Sequence, residues 1–290
     1  LETDGTRRLW VGMDEGVVRV ELGRWSRLAT AHGLPAASTY GLAAGAEGSL
    51  WMGTRNGLWE RRGERMTLAL AGETVYAVLP WEGDVWAATQ RGLARRAGGA
   101  WRRESLPPAL GSQGFRRLYA IDGDLWTLGA NAGIVRRHGG HWETWGLDHG
   151  FPIRALHSLL RTEEGLWVGT EGEGLHLWRQ GTWRRFDRGS GLPNNTVMDL
   201  RELRGRDGRR WLLAATESGG LAYAELGAAD LRFRVLAEDT VPALPNNTVY
   251  QVQKPDGSFV PKYVKVTKTY GDELDPENVE AEVVLDREDP

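Results

Sequence analysis

The chain has 290 residues, a formal net charge of −3 and no cysteine. This balance disfavours nucleic-acid binding through bulk electrostatics. The lack of cysteine excludes disulfides and cysteine-ligated metals, and it suits the cytosol and the bacterial periplasm equally. No run of 18 apolar residues and no basic-then-apolar leader is visible, so the sequence predicts no membrane segment. The unusual counts are 14 Trp and 39 Gly, which indicate one Trp-bearing unit used repeatedly.

A short motif, Leu-Trp-x-Gly-Thr, recurs along the chain with varying fidelity. In chain order its copies lie at 9–12, 50–54, 85–89, 125–129, 166–170 and 211–216. Their tryptophans stand at positions 10, 51, 86, 126, 167 and 211, so that successive spacings are 41, 35, 40, 41 and 44 residues. This period is typical of one four-stranded blade of a β-propeller.

Other markers keep phase with these tryptophans and divide each repeat into four predicted strands. An apolar run forms the innermost strand, the tryptophan motif the second, a Gly-Leu pair opens the third and Gly-x-Trp the fourth. Gly-Leu-Pro then leads to the next repeat, as at 33–35 and 191–193. A flat Trp buries about 200 Å² between neighbouring blades. The small Gly-Thr that follows is predicted to leave room for the adjacent blade.

The combined pattern, which ends in Gly-Leu-Pro-x-Asn-x-Val, resembles the two-component regulator propeller repeat over residues 1–259. Its best copies are 165–200 and 44–60. The resemblance implies an all-β propeller. It also implies the periplasmic sensor part of a bacterial hybrid histidine kinase or diguanylate cyclase. Such a sensor takes a small ligand, often a carbohydrate, and lies ahead of a membrane helix and signalling domains.

The sequence leaves two ways to close the ring. Residues 1–259 are predicted to form the propeller, and 260–290 a C-terminal strand or connector. Because the first repeat begins at its second strand, residues 246–252 are predicted to supply its inner strand and to close a six-bladed ring. Alternatively, 259–269 and 279–286 form an incomplete seventh blade. Six and seven blades both remain open.

No catalytic signature, phosphate loop or metal-ligand spacing is present, so the chain is predicted not to be an enzyme and to hold no metal or cofactor. His138 and His141 flank a predicted turn, and the acidic pair Glu163–Glu164 falls in another. The Asn-Asn-Thr triplets at 194–196 and 246–248 are predicted to cap the turn into an inner strand.

Polar and aromatic residues recur where each connection enters an inner strand, which places them at one mouth of the central channel. Arginine, amide and tyrosine groups suit the hydroxyls and carboxylates of a sugar-like or anionic ligand. Two alternatives stand beside this site: a solvated rim, and a scaffold face that binds a protein partner without a small ligand. The predicted ligand-binding residues are Tyr40, Tyr76, Arg116, Arg117, Tyr119, Arg154, His157, Asn195, Asp199, Asn247 and Gln251.

Overall fold

The fold is taken from a computed structural model of the chain. The structure describes residues 2–3, 8–21, 24–28, 37–110, 114–129, 133–145, 155–205, 207–236, 247–253, 259–266 and 281–284. In the last three ranges only the backbone is described. The described part contains strands joined by turns and three short 3-10 helices, at Ala46–Gly48, Pro108–Leu110 and Arg188–Ser190.

Six antiparallel sheets follow one another along the chain, each of four strands in sequence order. The first contains β1 (Glu2–Thr3), β2 (Arg8–Met13), β3 (Gly16–Glu21) and β4 (Arg24–Leu28). The second contains β5 (Thr39–Ala44), β6 (Leu50–Thr54), β7 (Gly57–Arg62) and β8 (Arg65–Ala71). The third contains β9 (Val75–Trp81), β10 (Asp84–Thr89), β11 (Gly92–Ala97) and β12 (Ala100–Arg103).

The remaining three sheets repeat this order. The fourth contains β13 (Phe115–Ile121), β14 (Asp124–Gly129), β15 (Gly133–His138) and β16 (His141–Trp145). The fifth contains β17 (Leu156–Thr162), β18 (Gly165–Thr170), β19 (Leu175–Arg179) and β20 (Thr182–Phe186). The sixth contains β21 (Val197–Arg204), β22 (Arg210–Thr216), β23 (Gly220–Glu225) and β24 (Arg234–Val235). The six sheets are arranged as blades in a ring, which confirms the predicted β-propeller.

The first blade and the C-terminal strands differ from the predicted closure. The inner edge of the first blade is occupied by β1, which pairs Glu2 with Trp10, so this blade takes its inner strand from the N-terminal end of the chain. The strand predicted for that edge is β25 (Asn247–Gln253). It pairs instead with β26 (Phe259–Val266), which pairs with β27 (Ala281–Val284) in a separate three-stranded sheet.

Tryptophans of the second strands fill the spaces between blades, as predicted. Trp10 is 1% exposed and packs against Leu50 and Met52 of the second blade. Trp167 is fully buried and packs in a cluster with Leu212 and other residues of the sixth blade. An arginine of the following blade also covers several of these rings. The guanidinium carbon of Arg61, for example, lies 5.2 Å from the centroid of the Trp10 ring. The main apolar contacts therefore lie between blades rather than within one blade.

The glycine of the motif allows the next inner strand to approach closely. A Cβ atom built at Gly53 would lie 2.8 Å from the carbonyl oxygen of Val75, and one at Gly169 would lie 2.7 Å from that of Val197. Val75 and Val197 are the first residues of the inner strands of the following blades. The prediction that this position leaves room for the adjacent blade is confirmed, and the group that needs the room is backbone.

The threonine of the motif stabilises the turn between the second and third strands. The Thr54 hydroxyl donates to the carbonyl oxygen of Gly57 at 2.9 Å, and Thr170 donates in the same way to Gly174 at 2.7 Å. Both threonines are fully buried. Each side chain thereby satisfies its own polar group and closes the turn between the second and third strands.

The sixth tryptophan is out of register with the others. Counting back three residues from the motif threonine gives Trp51, Trp86 and Trp167, but Leu213 in the sixth blade. Trp211 lies two residues earlier on the same strand and contacts the Tyr223 ring at 5.7 Å. The interpretation of Trp211 as an equivalent of the other tryptophans is therefore wrong, although the blade itself is present.

We predict that Trp167→Ala lowers the free energy of unfolding by about 3–5 kcal/mol, because it empties a space between two blades. Trp211→Ala is expected to cost less than about 2 kcal/mol, because Trp211 is only half-buried. Urea denaturation followed by tryptophan fluorescence and circular dichroism compares the two. Equal losses would contradict the register assigned to the sixth blade.

Gly53→Ala is predicted to destabilise the chain by about 1–3 kcal/mol, since the new methyl group meets a backbone carbonyl that cannot rotate away. The same denaturation experiment measures the effect. A variant with the wild-type midpoint would show that the blades can separate at no cost.

Candidate functional site

The inner strands of the second to sixth blades share an irregularity near their starts. In each, the register with the second strand shifts, so that the inner strand carries one residue more than its partner. Such a β-bulge bends the strand, re-aims a side chain and is frequent beside functional sites. The residues at the bulges are Tyr40, Tyr76, Arg116 with Arg117, His157 and Met198.

The turns between second and third strands lie at the same end of the ring as these bulges. In four blades the residue after the motif threonine donates its backbone N–H to the carbonyl oxygen of the residue immediately before the inner strand. These bonds run from Arg55 to Ser38, Gln90 to Thr74, Glu171 to Ala155 and Glu217 to Thr196, at 2.9–3.0 Å. We call this end, formed by the bulge residues and these four turns, the mouth.

Three predicted site residues from three successive blades stack at the mouth. The rings of Tyr40 and Tyr76 lie 5.5 Å apart between centroids, at an interplanar angle of 50°. The guanidinium carbon of Arg116 lies 5.2 Å from the centroid of the Tyr76 ring. Tyr40 is 48% exposed, although burial of its ring would be favourable. The stack therefore offers an aromatic and cationic surface to solvent.

The two arginines at the bulge of the fourth blade, Arg116 and Arg117, are exposed. Among the described residues, neither Arg116 nor Arg117 forms a salt bridge with a carboxylate. Elsewhere on the ring arginines commonly pair, as Arg161 does with Asp122 at 3.0 Å. Unpaired guanidinium groups provide rigid forks of donors suited to carboxylate or phosphate oxygens.

His157 lies between groups of opposite charge. Burial lowers the pKa of His157, and the guanidinium groups of Arg117 and Arg116 lower this pKa further. The carboxylates of Glu171 and Glu217 act on the pKa in the opposite direction. His157 is therefore near enough to both pairs for each to influence its protonation.

The other predicted residues lie in varied places. Tyr119 packs against the core between the fourth and fifth blades, and burial raises its pKa to about 12.

The Asn195 side chain accepts a hydrogen bond from the Arg188 backbone N–H at 3.1 Å, and the Asn194 side chain accepts one from the Thr196 backbone N–H at 2.8 Å. The predicted cap at 194–196 is thus confirmed. The Asp199 carboxylate forms an ion pair with Arg201, with 3.5 Å between Asp199 Oδ2 and Arg201 Nη2.

Three predicted site residues cannot be placed at side-chain level. Arg154 lies outside the described residues, and for Asn247 and Gln251 only the backbone is described. The cap predicted at 246–248 stays a prediction for the same reason.

Sequence reasoning missed several groups at the mouth. In the sixth blade the bulge residue is Met198, which is 37% exposed, rather than its neighbour Asp199. Sequence reasoning also overlooked the turn residues Arg55, Glu171 and Glu217. Their signal was available, since each directly follows the motif threonine. The bulges had no such signal, because each falls at the second or third residue of its strand, where too few residues precede it for an alternation to be recognised.

His138 and His141, which were predicted to flank a turn, end β15 and begin β16 on the outer part of the fourth blade. His138 Nδ1 is 2.9 Å from Asp124 Oδ1, and Arg136 Nε donates to the same carboxylate at 2.8 Å. Across the residues that the structure describes, no group of three or more potential metal-ligating side chains occurs. Within that same part of the chain, no helix has the length and apolarity required to cross a membrane.

Comparison with known proteins identifies the fold. No protein-family model and no curated protein matches the sequence. Among solved structures, the chain resembles the extracellular domain of a B. thetaiotaomicron protein described as a one-component system. The TM-score is 0.59 and the identity 16%, over 96% of this chain and 39% of the other. The chain thus spans about two-fifths of that structure.

Proteins of other kinds share the fold. A chain of the mitotic checkpoint complex matches with a TM-score of 0.59 and 16% identity, over 91% of this chain and 84% of the other. The computationally designed protein Ika8 matches with a TM-score of 0.55 and 13% identity, over 79% and 71%. At such identities the likeness establishes a β-propeller and no activity.

We predict that the pKa of His157 is below the usual value near 6.5 and that mouth variants move it in opposite directions. Arg117→Ala should raise this pKa because a positive charge is removed, whereas Glu171→Gln should lower it. Because the folded-state pKa is depressed, the stability contribution of His157 is present above the ordinary pKa and is lost as pH falls through the folded-state value.

Titration of the His157 ring by NMR measures these shifts. Glu143→Gln, on the outer strand of the fourth blade, serves as the control and should leave the pKa of His157 unchanged. Identical pKa values in all four proteins would contradict the arrangement of charges at the mouth.

Proposed function

We propose that this chain is the extracytoplasmic, non-catalytic sensor module of a bacterial signal-transduction protein. It binds a small sugar-like or anionic ligand at the mouth of the propeller. The single observation that carries the proposal is the repeated bulge, which in five inner strands falls at the same end of the ring and in four of them carries polar or aromatic residues. Packing alone requires no irregularity at the same position in successive blades.

The chemistry of these side chains supports a small ligand. The exposed ring of Tyr40, which packs against Tyr76, suits the apolar face of a sugar ring. Arg116 and Arg117 provide donors for hydroxyl or carboxylate oxygens, with no internal carboxylate to displace. Since the groups are held on β-strands, little backbone conformational entropy is lost when a ligand binds.

Two likenesses support the sensor role. The sequence pattern resembles the propeller repeat of two-component regulators, and the fold resembles the extracellular domain of a one-component system. Because that structure is the extracellular part of a one-component system, a downstream signalling domain belongs to the proposal. The same likeness to an extracellular domain supports the proposed periplasmic location.

A protein-interaction scaffold is the second candidate. Met198 and Tyr40 expose apolar surface at the mouth, at 37% and 48%. Exposed apolar groups within a polar rim are typical of protein-binding faces. The likeness to a chain of the mitotic checkpoint complex agrees with this use of the fold.

A thermal-shift screen of the purified chain against saccharides, sugar acids and small carboxylates tests the proposal. A ligand of the mouth should raise the melting temperature in a concentration-dependent manner. Arg117→Ala and Tyr76→Ala should each abolish the shift. Arg102→Ala removes an exposed arginine on the outer strand β12 and should preserve it.

The outcomes separate the two candidates. A shift that survives Arg117→Ala and Tyr76→Ala would place the ligand elsewhere and overturn the mouth as the site. No shift with any compound, together with a protein that co-purifies with the wild type but not with Met198→Asp, would favour the scaffold.

A further inference from the structure

Charges at the mouth are segregated by blade. The second, third and fourth blades contribute Arg55, Arg91, Arg116 and Arg117. The fifth and sixth contribute Glu171 and Glu217. Glu173, in the same turn as Glu171, is already paired with Arg185 at 2.9 Å. One arc of the mouth is therefore cationic and the opposite arc acidic.

The two arcs do not neutralise each other. Among the described residues, Arg55, Arg116 and Arg117 have no carboxylate partner, and Glu171 and Glu217 have no cationic one. On the rest of the ring the chain joins opposite charges across blades, as where Arg210 contacts Glu164 of the preceding blade. Charges left apart around one opening favour a ligand that carries both signs.

His157 marks the boundary between the arcs. It occupies the bulge of the fifth blade, next to the arginines of the fourth blade and close to Glu171 of its own blade. On the other side of the arginines, the stack of Tyr40 and Tyr76 extends the cationic arc with aromatic surface. An opening lined in this way provides an acceptor site, a donor site and an apolar platform side by side.

We infer that the ligand of the mouth is a zwitterion, a small molecule that carries a carboxylate and an ammonium group. This rests on the proposed function and names the ligand class of the same site. The carboxylate accepts hydrogen bonds from Arg116 and Arg117, and the ammonium donates to Glu171 and Glu217. The aromatic stack packs against the apolar part of the molecule.

Three related amino sugars test the inference by isothermal titration calorimetry. Muramic acid carries both charges, N-acetylmuramic acid lacks the ammonium charge, and glucosamine lacks the carboxylate. The wild type should bind muramic acid about tenfold more tightly than either other probe, because each charged hydrogen-bonding group contributes roughly 1.5 kcal/mol or more. Added salt should reduce this difference.

Variants assign each charge to its arc. The double variant Glu171→Gln/Glu217→Gln should bind muramic acid and N-acetylmuramic acid equally. Arg117→Ala should bind muramic acid no better than glucosamine. Glu143→Gln and Arg102→Ala, both on outer strands, should keep the wild-type preference. Unchanged melting temperatures in the absence of ligand show that the variants are folded.

Each failure has a distinct meaning. Equal wild-type affinity for muramic acid and N-acetylmuramic acid would overturn the zwitterion while leaving an anion site at the arginines. Binding of none of the three at millimolar concentration would also overturn it. The broader ligand screen then decides on the sensor function independently.

Discussion

The contact between neighbouring blades is the interaction on which this structure depends. A single four-stranded sheet exposes two faces and cannot bury either alone. Here one face of a blade presents a tryptophan such as Trp51 or Trp167, and the next blade covers it. The glycine two residues later brings the neighbouring inner strand to within contact of the backbone. Ring geometry follows from repeating one large and one very small side chain.

This packing leaves the bulge position near the start of each inner strand free to vary. The buried contacts involve the residue before the bulge and the second residue beyond it, as with Val197 and Leu200, which are 0% and 1% exposed. Bulge residues are not needed for those contacts, so Tyr40, Arg116 and Met198 remain largely exposed. A rigid ring thereby holds a set of changeable groups at one opening, as binding loops are held on other rigid scaffolds.

Electrostatics distinguishes the mouth from the outer parts of the ring. Near the hairpin turns at the opposite end, Arg210 meets Glu163 and Glu202 within 3.4 Å, and this cluster joins the fifth and sixth blades. In such pairs the opposite charges neutralise each other. At the mouth, arginines and glutamates are held on separate blades, and His157 experiences both. The same residue types thus stabilise the ring at one end and stay available for a ligand at the other.

The sequence by itself determined the blade. The tryptophan period, the Gly-Thr pair and the cap at 194–196 each depend on contacts within one repeat or with the next, so they leave a local pattern. The same pattern placed Tyr40, Tyr76, Arg116 and His157 at the start of inner strands. Only the tertiary structure decided that β1 completes the first blade and that β25 pairs elsewhere. It also revealed the bulges and the two charged arcs, because these depend on strand register and on which blades become neighbours around the ring, and neither is encoded in the order of residues within a repeat.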